Sequence, residues 1–573
     1  MRKQLLCLVL TLCLLMSFGF SVCAEPTATE AEPTATAAEP TATAAETQPT
    51  SVDVQAAGAT SVMPTSAFTA YTYDCWGNTV RCPDPYSLIR KVDGVALGTG
   101  DFKNVEDLFA KDGYVYLSVN GSEEGDDALI RMDDNLNLIN KWTGYSDNGK
   151  TVNFETLHGI FVTDEGMIYV AEEGVVKAGQ EASKAPRNIY AFTVEGEGKE
   201  ATLKLAKTIR RPEVKDSPII SKTFVERYIP DKLVVDRTDR VYVAAQNINE
   251  GIVTFNSEGK FDGFLAAGKV TVDPFTKFMK KYVYTDEQKR RSQTATPVEY
   301  NNIDMDEDGF IFATLNQMQG QESTILSEIK AKKGTEQGAL VRRLNMMGTD
   351  ILKRDGYMPP IGDADILDTM QNKDAGDYTG LSRIIDVSCG QYGTYAILDK
   401  NRRHIFVYNF EGYLLYAFSG PDTAAGGIDT PVALAQSNDY IYVLDKASRS
   451  IFMFRQTQFA KTVMNAIKLE KEGKYENASV SWEEVLKYDA TYDLAYLGLG
   501  KTAYWKGDYE KASEWFKLCN NKTWYSKAWA ELRKDVLAKW FMPIVISIMG
   551  IVVLVFVLKI VKKRKAKKKE AAG

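Results

Sequence analysis

One short pattern recurs six times between residues 111 and 445 of this chain. Each copy is a polar tight turn followed by a strand of aromatic and β-branched residues, and a further strand ends in a polar hairpin. The copies of the turn and first strand occupy residues 111–117, 164–170, 239–243, 306–312, 392–399 and 439–445. A unit this small cannot bury its apolar faces alone, so the copies must pack on one another. Six such units closing in a ring predict a mainly β fold, a six-bladed β-propeller.

The pattern also predicts where the strands of individual blades begin and end. In the first blade we expect strands at residues 105–110, 114–120, 128–132 and 136–142, and in the last blade at residues 430–435, 440–445 and 450–455. The aromatic stretch that starts at Tyr71 is expected to close the ring by joining the last blade. Two charged insertions, residues 274–291 and 319–333, are expected to be helical.

Charge is distributed unevenly along the chain. The formal net charge is −7, but the first 24 residues carry +2 and the last 15 carry +7, so the part between them carries −16. Nucleic-acid-binding proteins gain affinity by neutralising phosphates with lysine and arginine. The acidic body therefore argues against a nucleic-acid partner and suits contacts with cations or basic partners.

Both ends of the chain carry patterns that concern membranes. Residues 1–24 combine a basic start, a short apolar run and small residues at the cleavage position, which predicts a secretory signal peptide. Residues 25–66 are rich in Pro, Thr, Ala and Glu and are expected to be a disordered spacer. Residues 538–559 predict a transmembrane helix, and the basic residues 560–573 predict a cytoplasmic tail. We therefore expect a single-pass protein of the cell membrane with its N-terminal ectodomain outside.

After residue 456 the apolar period changes from two residues to about 3.6, which predicts helices over residues 457–537. The motif Gly-x-Tyr-x-x-Ala begins at Gly473 and again 34 residues later at Gly507. This spacing resembles the tetratricopeptide repeat, a pair of packed helices that commonly recurs in arrays. An aromatic set within it forms either the helical core or a groove for a partner protein: Tyr492, Tyr496, Tyr504 and Trp505.

Four cysteines lie outside the predicted signal peptide. Cys75 and Cys82 are close in a Gly- and Pro-containing stretch of the predicted ectodomain, so a local disulfide is one interpretation and a reduced pair is the other. Cys389 and Cys519 fall in different predicted domains and are expected to be lone buried thiols.

Residues 67–456 resemble NHL-type repeats in their Asp-Gly-x-Ile-Tyr-Val strands, over about two thirds of the chain. The segments 71–77 and 104–109 look like those of secreted, membrane-tethered NHL-repeat proteins of Gram-positive bacteria, which join a propeller, tetratricopeptide-like helices and a C-terminal anchor. Proteins of this kind tend to sit beside sugar-import systems. The resemblance therefore implies a cell-surface role near carbohydrate uptake, with a solute transporter as partner. It implies no activity, because NHL propellers serve as binding scaffolds, lactonases and lyases alike.

Polar residues near the starts of the innermost strands are the expected ligand contacts at the mouth of the central channel. They are Glu106, Asp107, His158, Lys232, Asn302, Asp304, Asp386 and Thr430. Carboxylate and amide oxygens of this kind hold Ca²⁺ in a six-bladed lactonase, and Ca²⁺ is the one cofactor that this set would suit. The other interpretation is that these side chains are structural or solvated, because any such ring in an acidic protein includes carboxylates.

Motifs of the common enzyme classes are missing from the sequence. The chain has 2 histidines, which argues against a histidine-rich zinc or copper site, and it has no nucleophile elbow, phosphate-binding loop or Cys-x-x-Cys pair. The sequence therefore favours a non-enzymatic, membrane-anchored binding or scaffold protein that needs no cofactor and contacts another protein at the cell surface. The alternative is a tethered Ca²⁺-dependent lactonase or other hydrolase that acts on a sugar derivative.

Overall fold

The computed structural model describes residues 70–121, 125–175, 185–266, 299–315, 339–363, 381–421 and 427–570. The predicted signal peptide, the spacer and the two insertions predicted to be helical lie outside these residues. The described part forms six sheets around a central channel, followed by a helical region. The predicted mainly β, six-bladed propeller is therefore confirmed.

Consecutive strands pair antiparallel within each blade. Three strands come first: β1 (Tyr71–Tyr73), β2 (Thr79–Arg81) and β3 (Tyr86–Asp93). Blade 1 contains β4 (Asn104–Lys111), β5 (Tyr114–Asn120), β6 (Ala128–Asp133) and β7 (Leu138–Trp142). Blade 2 has the outer hairpin β8 (Gly144–Asp147) and β9 (Lys150–Asn153), then β10 (Thr156–Val162), β11 (Ile168–Glu173), β12 (Arg187–Glu195) and β13 (Thr202–Ile209). Blade 3 contains β14 (Ile229–Val235), β15 (Val241–Gln246), β16 (Ile252–Phe255) and β17 (Phe261–Leu265).

The remaining blades share the same plan. In blade 4 the described strands are β18 (Tyr300–Met305), β19 (Ile311–Leu315) and β20 (Val341–Leu344). Blade 5 contains β21 (Ile384–Cys389), β22 (Tyr395–Asp399), β23 (Ile405–Tyr408) and β24 (Leu414–Phe418). Blade 6 contains β25 (Pro431–Ser437), β26 (Tyr440–Asp445) and β27 (Ser450–Gln456). The strands predicted for blades 1 and 6 are confirmed to within two residues at each end.

The polar turn of the repeat has a specific hydrogen-bonding role. In blade 4 the Asp306 carboxylate accepts hydrogen bonds from the backbone N–H groups of Asp308 and Phe310, at 3.0 and 2.9 Å. Gly309 between them has φ +82°, a conformation that favours glycine. The same arrangement of an aspartate or asparagine side chain recurs at Asp133, Asp236, Asn256, Asn345 and Asn409. Asp236 and Asp306 thus close the repeated turn of blades 3 and 4, whereas the other four residues close the turn that follows the third strand of their blade.

The ring is closed by a different strand from the expected one. β3 pairs with β27 and forms the outermost strand of blade 6, so blade 6 joins the N-terminal and C-terminal ends of the propeller. The aromatic strand β1 instead pairs with β24 through Tyr71 and Ala417, on the outer edge of blade 5. The expectation that the stretch beginning at Tyr71 joins the last blade is therefore wrong. β1 lies between β2 and β24 and is held to blade 5 by Tyr73, which packs in that blade's core, and by the Thr72 hydroxyl, which donates to the Leu414 carbonyl at 2.9 Å.

Short α1 (Lys222–Arg227) lies within the propeller region, and the helical region comes after blade 6. It consists of α2 (Gln458–Lys471), α3 (Tyr475–Tyr488), α4 (Asp493–Trp505), α5 (Tyr509–Leu518) and α6 (Lys522–Glu570). Consecutive helices pack on each other. A Cβ atom at Gly498 would lie 2.1 Å from the Trp482 indole, so the absent side chain is what lets α4 approach α3.

The helical region and the propeller share one hydrophobic core. Phe459, Trp482 and Tyr492 of the helices are buried in the same cluster as Tyr416 and Phe454 of blades 5 and 6. Polar contacts cross the same boundary: Tyr492 donates a hydrogen bond to the Leu415 carbonyl at 2.8 Å. Burial of this much apolar surface, at about 25 cal/mol per Å², holds the two regions together far more strongly than a few surface contacts would.

The last helix, α6, is long and apolar enough to cross a membrane. Its first turns pack on the preceding helices, since Ala528 is fully buried, whereas the apolar side chains from Trp540 to Leu558 are exposed. The helix is continuous over 49 residues, with Pro543 inside it. One element thus belongs both to the helical core and to the apolar segment, which is consistent with single-pass anchoring.

Candidate functional site

We name the two faces of the propeller by the ends of the innermost strands. These strands begin at the upper face, and their hairpin turns into the second strands lie on the lower face. All six innermost strands contain a β-bulge near their start, where one extra residue shifts the register. Because a bulge changes which side chains point inward, it decides which of two adjacent polar residues faces the channel.

The bulge in blade 1 separates Glu106 from Asp107. Glu106 is the extra residue, and its carboxylate is half-exposed and lies 3.6 Å from Lys446 Nζ. Asp107 faces the channel and is buried. Of the two adjacent candidates, only Asp107 therefore contributes to the channel.

Asp107 forms a buried ion pair with Lys232 of blade 3. The second oxygen of Asp107 accepts a hydrogen bond from the Ile160 N–H of blade 2 at 2.8 Å. Burial lowers the pKa of Lys232, but the Asp107, Asp231 and Asp386 carboxylates outweigh that effect and raise this pKa above its ordinary value. The pair therefore ties three blades together across the channel.

Asn302 and Asp386 make a second connection, between blades 4, 5 and 6. The Asn302 amide donates to Asp386 Oδ1 at 2.5 Å, and the Leu434 N–H donates to Asp386 Oδ2 at 2.6 Å. Burial raises the pKa of Asp386 well above its usual range, and the nearby Lys232 charge opposes the rise. Both carboxylates of the channel centre thus accept hydrogen bonds from a neighbouring blade.

Asp304 lies two residues beyond Asn302 on the same side of β18. Its carboxylate accepts hydrogen bonds from the backbone N–H groups of Cys389 and Met305, at 2.6 and 2.8 Å. Burial raises the pKa of Asp304 to about 6, against the effect of these two hydrogen bonds. Asp304 is paired with no lysine or arginine among the residues that the structure describes.

His158 lies between blades 2 and 3 and does not line the channel cavity. It is buried, with Nε2 3.9 Å from a Glu173 oxygen and Nδ1 4.0 Å from an Asp231 oxygen. Neither ring nitrogen makes a hydrogen bond to a described residue. Thr430 does not line the cavity either, and its backbone N–H donates to the Asp445 carboxylate.

A cavity of about 530 Å³ occupies the lower part of the channel and is lined by all six blades. Five of the sequence candidates line it: Asp107, Lys232, Asn302, Asp304 and Asp386. The cavity extends to exposed turn residues of the lower face, such as Asp112 and Glu165. From the sequence we expected these residues at the mouth of the channel, and the structure places the five along the wall of this cavity, beyond the bulge of each innermost strand.

Helix α2 lies against part of the lower face. Lys461 forms an ion pair with Asp439 in the turn of blade 6, and Lys468 Nζ lies 5.2 Å from the centre of the Tyr392 ring in the turn of blade 5. Lys471 Nζ lies 3.9 Å from an Asp308 oxygen in the turn of blade 4. In the middle of the helix, Met464 lines the cavity. The helical region thus forms part of the cavity wall.

The carboxylates of the described residues do not assemble into a metal-binding group. No set of three or more His, Cys, Asp or Glu side chains in that part of the chain lies close enough to hold one ion. The reason is visible at the channel centre, where the Asp107 carboxylate already contacts Lys232 and Asp386 already accepts two hydrogen bonds.

Cys75 and Cys82 are free thiols on either end of the β1–β2 hairpin. The Cys82 N–H donates to the Ala70 carbonyl at 2.9 Å, whereas Cys75 lies in the turn after Asp74. The hairpin thus places them about five residues apart along its length, or about 16 Å at 3.3 Å per residue. A disulfide requires Cα atoms within about 7 Å, so this hairpin does not bring the pair together.

Two features of the site were not anticipated from the sequence. A Cβ atom at Gly159 would lie 2.2 Å from the Asp231 carbonyl oxygen, so glycine is needed for blade 3 to approach blade 2. The second is the position of α2 beside the cavity, for which the lysines at positions 461, 468 and 471 were the available signal.

No family model matches the sequence, and no curated protein matches it either. Solved propeller structures do match. Virginiamycin B lyase from Staphylococcus aureus is 9% identical, with 65% of this chain and 100% of that chain covered and a TM-score of 0.33. The PQQ-bound aldose sugar dehydrogenase from Streptomyces coelicolor is 12% identical, with 65% of this chain and 99% of that chain covered and a TM-score of 0.32. Similarity this distant carries no functional argument.

Proposed function

We propose that this chain is a membrane-anchored, extracytoplasmic binding or scaffold protein. In this proposal an NHL-type propeller and tetratricopeptide-like helices act as one rigid unit that holds a ligand or a partner protein at the cell surface. The observation that carries it is the shared core, in which helical residues such as Trp482 pack in one cluster with Phe454 of the propeller.

A second ion-pair network supports the rigid unit. Lys501 of α4 is buried and pairs with Glu411 of blade 5, and its Nζ also lies 3.8 Å from Glu470 of α2. The other oxygen of Glu470 accepts a hydrogen bond from the Trp482 indole N–H at 2.7 Å. Buried charges of this kind fix one relative position of the elements, because any displacement leaves them unpaired.

The continuity of α6 supports anchoring in a fixed orientation. From Trp524, which packs on the helical core, to Trp540 the helix rises about 24 Å at 1.5 Å per residue. The basic residues that come after the apolar segment favour a cytoplasmic C-terminus. A rigid ectodomain held at a set distance above the bilayer suits a protein that positions a partner.

The partner we propose is a component of a solute transport system, and carbohydrate uptake is the process implied by the sequence resemblance. The exposed aromatic Trp505 stacks on Tyr475 with ring centres 5.9 Å apart and offers the helical region an apolar contact surface. Of the other aromatic residues of the predicted repeats, Tyr492 is fully buried and belongs to the core. The aromatic set therefore divides between core and surface.

The alternative, a tethered Ca²⁺-dependent lactonase or other hydrolase, draws less support from the described residues. Such an enzyme needs several oxygen ligands directed at one ion. Asp107, Asn302 and Asp386 are instead directed at one another or at neighbouring strands. We therefore favour binding over catalysis for this channel.

The proposal is tested by crosslinking the full-length protein in its native membrane and identifying partners by quantitative mass spectrometry. We expect a solute-transport component to be recovered, and Trp505→Ala to reduce that recovery several-fold. Leu518→Ala, another exposed apolar residue of the helical region, is the matched control and should leave recovery unchanged. Equal recovery with the two variants would exclude the surface around Trp505 as the site of partner contact. Failure to recover any transport component would contradict the proposed role.

A further inference from the structure

The cavity of the lower channel has properties that the proposed binding role leaves unassigned. Its volume of about 530 Å³ lies within the range of about 300–1,000 Å³ found for small-molecule sites. Every blade contributes to its wall, and the exposed turns of blades 1 to 3 give access from solvent. The ligand inferred below for this cavity rests on the binding role proposed above.

The lining of the cavity is strongly acidic. Nine carboxyl side chains line it, against three basic ones, Lys111, Lys232 and Arg237. Each basic side chain already has an acidic or carbonyl partner: Lys232 pairs with Asp107, Lys111 lies 2.6 Å from Asp164, and Arg237 donates to the Glu307 carbonyl at 3.0 Å. The carboxyl groups of the lining therefore outnumber its basic side chains, and outside the lining Arg343 pairs with one of them, Asp306.

Asp304 is the carboxylate that this imbalance affects most. It lies on the channel side of β18, where burial disfavours its charge, and its described partners are backbone N–H groups and the Cys389 thiol, all of them neutral donors. By contrast, the adjacent Asp306 contacts Arg343 at 2.5 Å. A ligand cation beside Asp304 would supply the counter-charge that Asp306 obtains from the protein.

A second polar group beside Asp304 also lacks a partner. Ser388 is 7% exposed, precedes the Cys389 N–H that binds Asp304, and lies on the same side of β21 as Asp386. Its hydroxyl makes no hydrogen bond to any described residue, although the residue lines the cavity. A hydroxyl at the cavity wall that no described residue occupies is available to a hydrogen-bonding group of a ligand.

The opposite wall of the cavity is aromatic. Phe109 of blade 1 and Phe161 of blade 2 pack with ring centres 5.1 Å apart, and both line the cavity. Aromatic faces attract organic cations and also cover apolar chain atoms. A hydrated metal ion gains little binding free energy from such a wall. An amine on a hydrocarbon chain is stabilised by the carboxylates on one side and by the aromatic rings on the other.

We propose that the lower channel cavity binds a small organic cation, an amino or guanidino group on an apolar chain, with Asp304 as its counter-ion. In this arrangement the Ser388 hydroxyl accepts a second hydrogen bond from the cationic group, and the hydrocarbon chain lies along Phe109 and Phe161. The ion pair between Asp107 and Lys232 lies at the inner end of the cavity, away from the lower face, and stays intact when the ligand binds.

The test is isothermal titration calorimetry on the detergent-solubilised full chain. The probe is 1,5-diaminopentane, and pentane-1,5-diol is the neutral control of the same length. We expect the diamine to bind and the diol not to bind. Asp304→Asn keeps an oxygen for the Cys389 N–H and should weaken diamine binding at least tenfold, whereas Asp262→Asn, an exposed carboxylate of the outer strand β17, should not.

The pH dependence provides an independent readout. Because the carboxyl of Asp304 must be ionised to pair with the probe, binding should strengthen from pH 5 to pH 7.5 and release a proton near pH 6. Absence of diamine binding, equal binding of the diol, or equal affinity in Asp304→Asn and Asp262→Asn would each overturn the assignment. Recovery of the membrane partner by crosslinking does not depend on this cavity, so its result separates failure of this inference from failure of the scaffold role.

Discussion

At the scale of single residues, the channel side chains act mainly between blades. The Asp107 carboxylate joins blades 1, 2 and 3 through Lys232 and the Ile160 N–H, and Asp386 does the same for blades 4, 5 and 6. Each of these contacts links strands far apart in sequence, so it forms only when the ring is assembled. Polar residues that the sequence predicts as ligand contacts thus link neighbouring blades in the structure.

A buried carboxyl outside the channel gives a prediction about pH. Burial raises the pKa of Glu172 from 4.5 to about 7, with the Glu155 N–H opposing and the Glu155 and Asp127 carboxylates adding to the rise. The folded protein therefore keeps this proton up to about pH 7, whereas the unfolded chain loses it near pH 4.5. The free energy of unfolding contributed by this proton is therefore greatest below pH 4.5. It falls by about 3 kcal/mol as the pH rises to 7.

Glu172→Gln should remove that loss, because the amide oxygen still accepts from the Glu155 N–H at the position of the present 3.3 Å contact. We expect the variant to be more stable than the parent at pH 8 and to show a smaller decline between pH 5 and 7 in denaturant titrations. Glu165→Gln, at an exposed turn, is the control. A variant with the same pH slope as the parent would contradict the assignment to Glu172.

At the scale of elements, the interface between α4 and blade 5 is the one on which the rigid unit depends. Burial lowers the pKa of Lys501, but the Glu470 and Glu411 carboxylates outweigh it, and the pKa lies above its ordinary value. Replacing this lysine leaves two carboxylates without a cation inside the interface.

Lys501→Met should therefore destabilise the protein by about 3–5 kcal/mol, the usual cost of breaking a buried ion pair. Lys506→Met removes a lysine one turn away that is exposed and lies 3.1 Å from Glu476, and it should cost less than about 1 kcal/mol. Thermal unfolding of the detergent-solubilised full chain measures both. Equal melting temperatures for the two variants would show that the interface does not depend on Lys501.

Much of this element-level organisation is accessible from the sequence, and the exceptions have physical reasons. The run of aromatic and β-branched residues in Tyr114–Asn120 and the turn residues before it locate the strands of blade 1, because both signals are local. The partner of β1 is not locally encoded, since a short aromatic strand suits the edge of any blade. Likewise, the bulge that turns Asp107 inward and Glu106 outward depends on the pairing of β4 with β5. The position of the cavity depends on these long-range pairings and so could not be predicted.

At the scale of the whole molecule, the propeller, the helices and the apolar segment are joined without a flexible linker between them. The core that contains Phe454 and Trp482 joins the propeller to the helical region, and α6 continues from that region without a break. This one unit includes the buried ion pair of Lys501 and the part of the lower face that α2 covers. A binding site on the propeller would therefore be held in a constant position relative to the apolar segment of α6.

The most direct test of this account is the distance distribution between the propeller and the helical region in the full chain. Genetically encoded spin labels at the exposed positions Asp262 and Lys506 would report it by double electron–electron resonance, with Asp262 and Lys103 as a reference pair within the propeller. We predict a single distribution as narrow as that of the reference pair. A broad or two-peaked distribution would show that the helices move independently of the propeller, and would contradict the rigid scaffold.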